Sequence, residues 1–487
     1  MNRSNPSTRL ATQCLFALSC GAFSCGGSSD EAPIATRLES SNTVGLSSHT
    51  LRREDANEAC RDSDALQRAA IGRAVDDDGS DDADDPVRAG RDAFNDRKLH
   101  TLDGNGRACS DCHMRSDSFQ LSPESAKARF DALEACRAQK PEWDDPLFRP
   151  VDADDFRIHG NEARDFTNLT VNGLVRVTFP LPANVKLIDP ATGAASTETE
   201  VDVWRSVPSV NNVAITGPGG QNPWPRGPNP TGGYQLDGRK ATLQDQALGA
   251  LLAHAQVERA PSQRFLDDVS AFEQSLFSSD RVRRLSDAIG AGTLPLPNGD
   301  PPLDLLEQQG KDVFARSCAQ CHGGPSQSNT PAPVRRFHDI NTACPRPVDK
   351  VSPARWSFEP CSPSLARNAR VYEVTLPNGA TLRRTSSDPG RALLTGFVGG
   401  GPPPTDDWNK LDVPTLFGIA GTAPYFHDNS AATLEAVLDH YTQFFNFVEA
   451  TAPPGVVPPV ASTDGVLFNR KFLLSERPAL LAYLRKL

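Results

Sequence analysis

Two copies of Cys-x-x-Cys-His, at Cys109, Cys112 and His113 and at Cys318, Cys321 and His322, constrain this chain more than any other feature. Two thiols one helical turn apart can each add to a haem vinyl group, while the histidine that follows ligates the iron. With 11 Cys and 9 His in 487 residues, chance would supply about 0.005 such motifs per chain. A zinc site would need a second pair of ligands close to each motif, and neither copy has one. A redox-active dithiol is the other use of this spacing. The motifs predict two covalently bound c-type haems with His113 and His322 as proximal iron ligands.

The N-terminus bears on the compartment. Arg3 and Arg9 precede an apolar stretch around Leu15 to Leu18 and then small residues, which reads residues 1–25 as an export signal. No run approaches the roughly 20 apolar residues of a transmembrane helix. The segment from Phe23 to Asp30 resembles a bacterial lipoprotein cleavage site with Cys25 as the acylated residue, although Ala22 stands where leucine is usual. The expected location is the periplasm or the outer membrane, with an N-terminal lipid as tether; simple cleavage is the alternative. Beyond the signal and the haem motifs remain Cys60, Cys136, Cys344 and Cys361, an even number that suggests two disulfides in an oxidising compartment. Cys344 with Cys361 would close a loop inside the second half, and Cys60 with Cys136 would pin the leader to the first half, though sequence alone leaves the pairing open. A net charge of -11 argues against nucleic acid. The acidic run Asp76 to Asp85 reads as solvated chain; calcium is the metal it would take, but the EF-hand ligand spacing is missing.

The chain repeats itself. Gly90-Arg91-Asp92-Ala93-Phe94 before the first motif matches Gly310-Lys311-Asp312-Val313-Phe314 before the second. Val207-Pro208-Ser209 matches Val413-Pro414-Thr415, and Asp237 to Leu243 matches Asp428 to Leu434, in the same order after each motif. Each half closes on an amphipathic helix, 265–277 and 476–487. The fold expected is mainly α: two tandem cytochrome c-like domains with loop and short β-hairpin insertions. The segments are an irregular acidic leader over 26–86 with a short helix at 58–68, a first haem domain over 87–285, a Pro-rich linker over 286–303 and a second haem domain over 304–487. Asn378-Gly379 between alternating runs predicts one hairpin, and Leu174 to Leu181 with Thr199 to Trp204 predicts another.

These motifs together resemble the bacterial di-haem cytochrome c peroxidase and MauG superfamily over residues 87–487. The resemblance rests on the tandem haem motifs, on Asp237-Gly238-Arg239 followed by Leu243, and on Val413-Pro414-Thr415-Leu416 leading to Thr422-Ala423-Pro424-Tyr425-Phe426-His427-Asp428. The motifs stand 209 residues apart, a gap that looks more like the di-haem rubber-oxygenase branch. It implies an oxidoreductase in which hydrogen peroxide or oxygen meets the first haem, and electrons pass through the second from a small periplasmic donor protein. It also implies a catalytic glutamate directly after the leucine of the Asp-Gly-Arg segment, where this chain has Gln244, with Tyr234 at the place of a partner glutamine. An amide can hydrogen-bond peroxide but cannot carry its proton. An oxidase of an organic or protein substrate, or a non-catalytic electron carrier, are the alternatives.

The family ligates its second iron with a downstream methionine or tyrosine. This chain has only Met1 and Met114. His427 is the preferred sixth ligand there, with His440 and Tyr425 as alternatives, and His159 is the candidate at the first iron. His254 is read as a packed or partly exposed residue, His338 as part of a solvated basic cluster with Arg335 and Arg336 or else a contact to haem propionates, and Trp204, Trp224, Trp356 and Trp408 as candidate electron relays.

Overall fold

The computed structural model describes residues 85–99, 102–155, 164–216, 233–328, 337–346, 358–399, 406–451 and 471–487. The export signal, Cys25, Cys60, the leader helix, the run before Asp85, His159, Trp224 and Trp356 lie outside them. The chain divides into two compact units, 1–50 and 51–487, and every described residue belongs to the second. Among the described residues no helix is long and apolar enough to cross a membrane.

Each haem motif is delivered by a helix that crosses the closing helix of its half. Helix α1 (Pro86–Asn95) begins at Asp85, whose carboxylate accepts the Val87 amide at 3.0 Å. After α2 (Pro123–Arg137) and α3 (Leu243–Ala253), helix α4 (Gln263–Gln274) returns to pack on α1. In the second half, α6 (Leu305–Ser317) runs straight into Cys318, α7 (Leu434–Thr451) follows the second repeat, and α8 (Arg477–Leu484) packs on α6. Between the halves, α5 (Asp280–Ala291) reaches beyond residue 286, burying Leu285, Ser286 and Ile289, so the segment expected to be linker starts as helix.

The crossings match residue for residue. Phe94 meets Phe272 at 5.2 Å between ring centroids, and Phe314 meets Tyr483 at 5.4 Å. Backbone signatures recur as well. Gln235 and Gly238 have positive φ, as do Phe426 and Asn429, and the bridge Tyr234 to Lys240 is mirrored by Tyr425 to Ala431. Ser209 Oγ donates to the Ser118 carbonyl at 2.6 Å, and Thr415 Oγ1 to the Ser326 carbonyl at 2.7 Å.

A mainly helical description understates the sheet content: the fold is mixed, with helix exceeding strand. Strands β1 (Leu174–Pro180) and β3 (Glu200–Ser206) pair antiparallel, as do β5 (Arg370–Thr375) and β6 (Thr381–Ser386) around Gly379 at φ 81°. The short β2 (Val185–Leu187) pairs with β5, so the insertion of the first half extends the sheet of the second. Three residues are too few to show alternation in a sequence. A further pair joins β4 (Phe337–His338) to β7 (Leu411–Asp412). Cys344 is bonded to Cys361, and Cys136 is disulfide-bonded to a partner outside the described residues.

The halves are also tied by buried charge. Arg205 on β3 donates to Asp237 of the first repeat and, at 2.6 Å and 2.9 Å, to both oxygens of Asp388 in the second half. Arg239 completes the set on Asp237 at 2.6 Å. Burial alone would raise the Asp388 carboxyl, but the charge and hydrogen bonds of Arg205 hold it below the usual carboxylate range.

Candidate functional site

Both motifs fold into one tight turn. The amides of Cys112 and His113 donate to the Cys109 carbonyl, and those of Cys321 and His322 to the Cys318 carbonyl, so in each motif the two thiols and the imidazole leave the backbone within one turn. The first turn is pinned by Asp111, fully buried between Arg97 and Arg129, with a carboxylate oxygen on the Ala108 amide at 2.9 Å. All four thiols are free. Burial pushes the Cys109, Cys112 and Cys318 thiols up to about 12, so they are neutral.

The imidazoles are set as iron ligands require. His113 Nδ1 lies 3.0 Å from the Phe119 carbonyl, which fixes the tautomer and leaves Nε2 for a metal. His322 Nδ1 is buried against the backbone of Gln327 and Pro414 without completing a hydrogen bond. Burial lowers both imidazoles, His322 to about 4, and keeps them in the neutral form that ligates iron.

A cleft of about 1700 Å³, counted out to its open mouth, surrounds the first motif. Cys109, Cys112 and His113 lie in its wall together with Arg205 and Arg239. The residues therefore fit a covalent haem. Beside His322 a second hollow is lined by Phe314, Phe417 and Tyr483. Segment Val413-Pro414-Thr415 lines the first cleft, and the backbone of Pro414 also touches His322, so one short stretch of chain lies between the two sites.

Tyr234 lines the first cleft, and its hydroxyl is pushed up to about 12 by burial and then by the charge of Glu273. Gln244 does not reach the cleft. Thr242 caps α3 by accepting the Asp245 amide at 3.0 Å, which fixes the helix register. The cleft face is then Leu243, Gln246, Ala247, Ala250, Leu251 and His254, while the Gln244 amide donates to Asp267 at 3.1 Å.

His427 is buried with Nδ1 at 3.2 Å from Thr342 Oγ1, and it lines neither cleft. His440 gives its Nε2 to the Ile340 carbonyl at 2.7 Å, and Tyr425 gives its hydroxyl to the Ile419 carbonyl at 2.9 Å. Trp204 and Trp408 line neither cleft: Trp204 packs with Leu174, Cys344 and Leu365, and Trp408 meets Tyr372 edge-on at 5.4 Å.

Three other groups stand near the two motifs. His254 lines the first cleft, close enough to lower His113, with Nδ1 at 3.0 Å from Asp152, which Arg107 holds at 2.5 Å. His338 is buried, not solvated, and its charge is felt by His322. Glu273 is a buried carboxyl in the wall of the first cleft. Aligning the two halves would have flagged two of them: counted from Leu243 and Leu434, His254 replaces Phe445, and counted across the helix crossing, Glu273 replaces Leu484. Among the described residues there is no group of three or more His, Cys, Asp or Glu able to hold a metal ion such as calcium.

No family model matches the chain, and no curated protein matches it. Among solved structures the chain is similar to a MauG-like protein associated with microbial copper homeostasis, at 18% identity over 83% of this chain and 88% of that one, with a TM-score of 0.38. It is similar to the diheme peroxidase BthA from Burkholderia thailandensis, at 14% identity over 82% of this chain and 85% of that one, TM-score 0.32. It is also similar to hydrazine synthase of Kuenenia stuttgartiensis, at 16% identity over 70% and 86% of the two chains, TM-score 0.29.

Proposed function

We propose that this chain is an exported di-haem c-type cytochrome of the cytochrome c peroxidase and MauG superfamily, built from two tandem cytochrome c-like domains. It acts as an oxidoreductase whose first haem site binds hydrogen peroxide or oxygen. The second site relays electrons from a small periplasmic donor protein. The observation that carries this reading is the asymmetry of the repeat. At equivalent positions of α3 and α7 the first half has Gln246, Ala247, Ala250 and His254, where the second has Val437, Leu438, Tyr441 and Phe445. Small and polar residues leave room for a second molecule beside the first motif; large apolar ones pack against Cys318 and Cys321.

When bound, the two haems would supply redox-active iron, held by Cys109, Cys112 and His113 and by Cys318, Cys321 and His322. The protein's own part is positional. Asp111 and its two arginines fix the first motif, Phe119 orients His113, and Arg107 with Asp152 orients His254 toward the cleft. Val413 to Thr415 is the stretch of chain that supports passage of electrons between the sites. Gln244 gives no ground for choosing between an oxygenase and a peroxidase, because that residue stands off the cleft. Residues 1–30 support secretion to the periplasm or outer membrane, with either an N-terminal lipid on Cys25 or simple cleavage of the signal.

Low-temperature EPR of the purified holoprotein, oxidised and then half-reduced, tests the reading together with steady-state peroxide turnover using a reduced cytochrome donor. The expected result is an open or opening iron at the first site and turnover well above that of free haem. Two unchanging low-spin signals without turnover would leave an electron carrier instead.

A further inference from the structure

Glu273 is a carboxyl that packing does not require. It is 4% exposed, and its Oε2 makes no hydrogen bond among the described residues. At the equivalent place in the second half Leu484 fills the same crossing. Placing a lone carboxyl in such a position is costly, so its retention beside the first motif, and its absence beside the second, point to a task in the cleft.

Its surroundings leave it able to take and release a proton. Burial alone pushes its carboxyl up to about 8, and no charged group opposes the shift. The titratable groups that it faces are Cys109, on the turn, and Tyr234, on the loop before α3. On its own helix Asp268 faces Arg264, and Asp267 accepts from Gln244 and Gln263. On the packed helices Arg91 pairs with Asp92 in solvent and Asp245 is exposed, while Val213–Thr216 brings no charge.

We infer that Glu273 is the proton-binding carboxyl of the first haem cleft, taking one proton from solvent when an electron arrives there and returning it when the electron leaves. This rests on the di-haem reading. A one-electron donor, dithionite or a reduced donor protein, loses the electron; the cleft gains it, the carboxylate becomes a carboxylic acid, and net charge is unchanged.

The test is a potentiometric titration of the first haem in the full holoprotein at several pH values, for wild type, Glu273→Gln and Glu273→Leu. In wild type the oxidised-to-reduced ratio at fixed potential should shift tenfold per pH unit, which is 59 mV for one electron, with the potential falling as pH rises. Both variants should flatten that dependence. Infrared difference spectra of wild type, reduced minus oxidised, should gain a protonated-carboxyl band, so the inference stays testable if the variants fold poorly. A flat wild-type potential, a slope that survives in Glu273→Gln, or no carboxyl band on reduction would overturn it. A pyridine haemochrome assay without covalent haem would instead overturn the reading beneath it.

Discussion

Gly310 lies so close to the backbone carbonyl of Ala479 that a Cβ on it would stand 1.9 Å from the oxygen; Gly90 stands in the same relation to Asp268, at 1.8 Å. The two contacts are one device used twice. Each lets the helix that carries a haem motif press directly on the helix that closes its half.

Gly310→Ala and Gly90→Ala should therefore force their helices apart. The obstacle is main chain, which cannot swing aside as a side chain would. Overpacking of this kind costs about 1–3 kcal/mol or more, and denaturant unfolding of each variant against wild type reads it. A loss below about 0.5 kcal/mol would mean that the crossings tolerate separation.

The asymmetry of the repeat gives a second expectation. Ala250→Tyr copies into the first cleft the side chain that the second half carries as Tyr441, whose hydroxyl burial and then the Cys321 and Cys318 thiols push far up. The variant should keep both haems but bind carbon monoxide or cyanide at least about tenfold more weakly, roughly 1.4 kcal/mol. Optical titration of the reduced and oxidised protein measures this. Unchanged affinity would mean that the external ligand enters from another side.

Much of this was legible in the sequence because it is written as spacing. The haem motifs, the Asn378-Gly379 hairpin and the repeated Gly-x-x-x-Phe are local patterns, and the structure has each of them. What spacing could not give is direction. Gln244 follows a leucine that faces the cleft, yet one residue further along a helix turns about 100° away, and the cap at Thr242 sends Gln244 to Asp267 and brings in Gln246. Glu273 sits in an amphipathic helix, where a charged residue is counted as part of the solvent face; only the crossing at Gly90 reveals that it points inward. His254 gained its place from Asp152, about a hundred residues earlier, and no local pattern records that pairing.

His440 should make the protein acid-sensitive. Burial lowers its imidazole to about 4, against an ordinary 6.5, while the Ile340 carbonyl partly opposes the shift. Between those values the unfolded chain binds a proton that the folded chain does not, so stability is full above pH 6.5 and is lost as pH falls toward about 4. The slope is at most about 1.4 kcal/mol per pH unit for one proton. His440→Gln keeps a donor for Ile340 and should remove about one proton from the slope in denaturant melts over that window. An unchanged slope would assign the acid sensitivity elsewhere.

Arg205 is the expected weak point of the join between halves. Its guanidinium serves Asp237 and Asp388, both essentially inaccessible, and lies 4.7 Å from the centre of the Phe179 ring. Arg205→Met would preserve much of the volume but take from two buried carboxylates their shared cation, leaving Arg239 on Asp237. Removing one partner of a buried ion pair costs about 3–5 kcal/mol, because the remaining charge stays desolvated and uncompensated. Replacing Asp388 by Asn in the same chain should return part of that loss, since the charge left stranded is then gone. Thermal unfolding of Arg205→Met, Asp388→Asn and the double variant measures the coupling. Simple additivity would mean that Arg205 and Asp388 do not act as a pair. A double variant more stable than Arg205→Met alone would identify the stranded carboxylate as the cause.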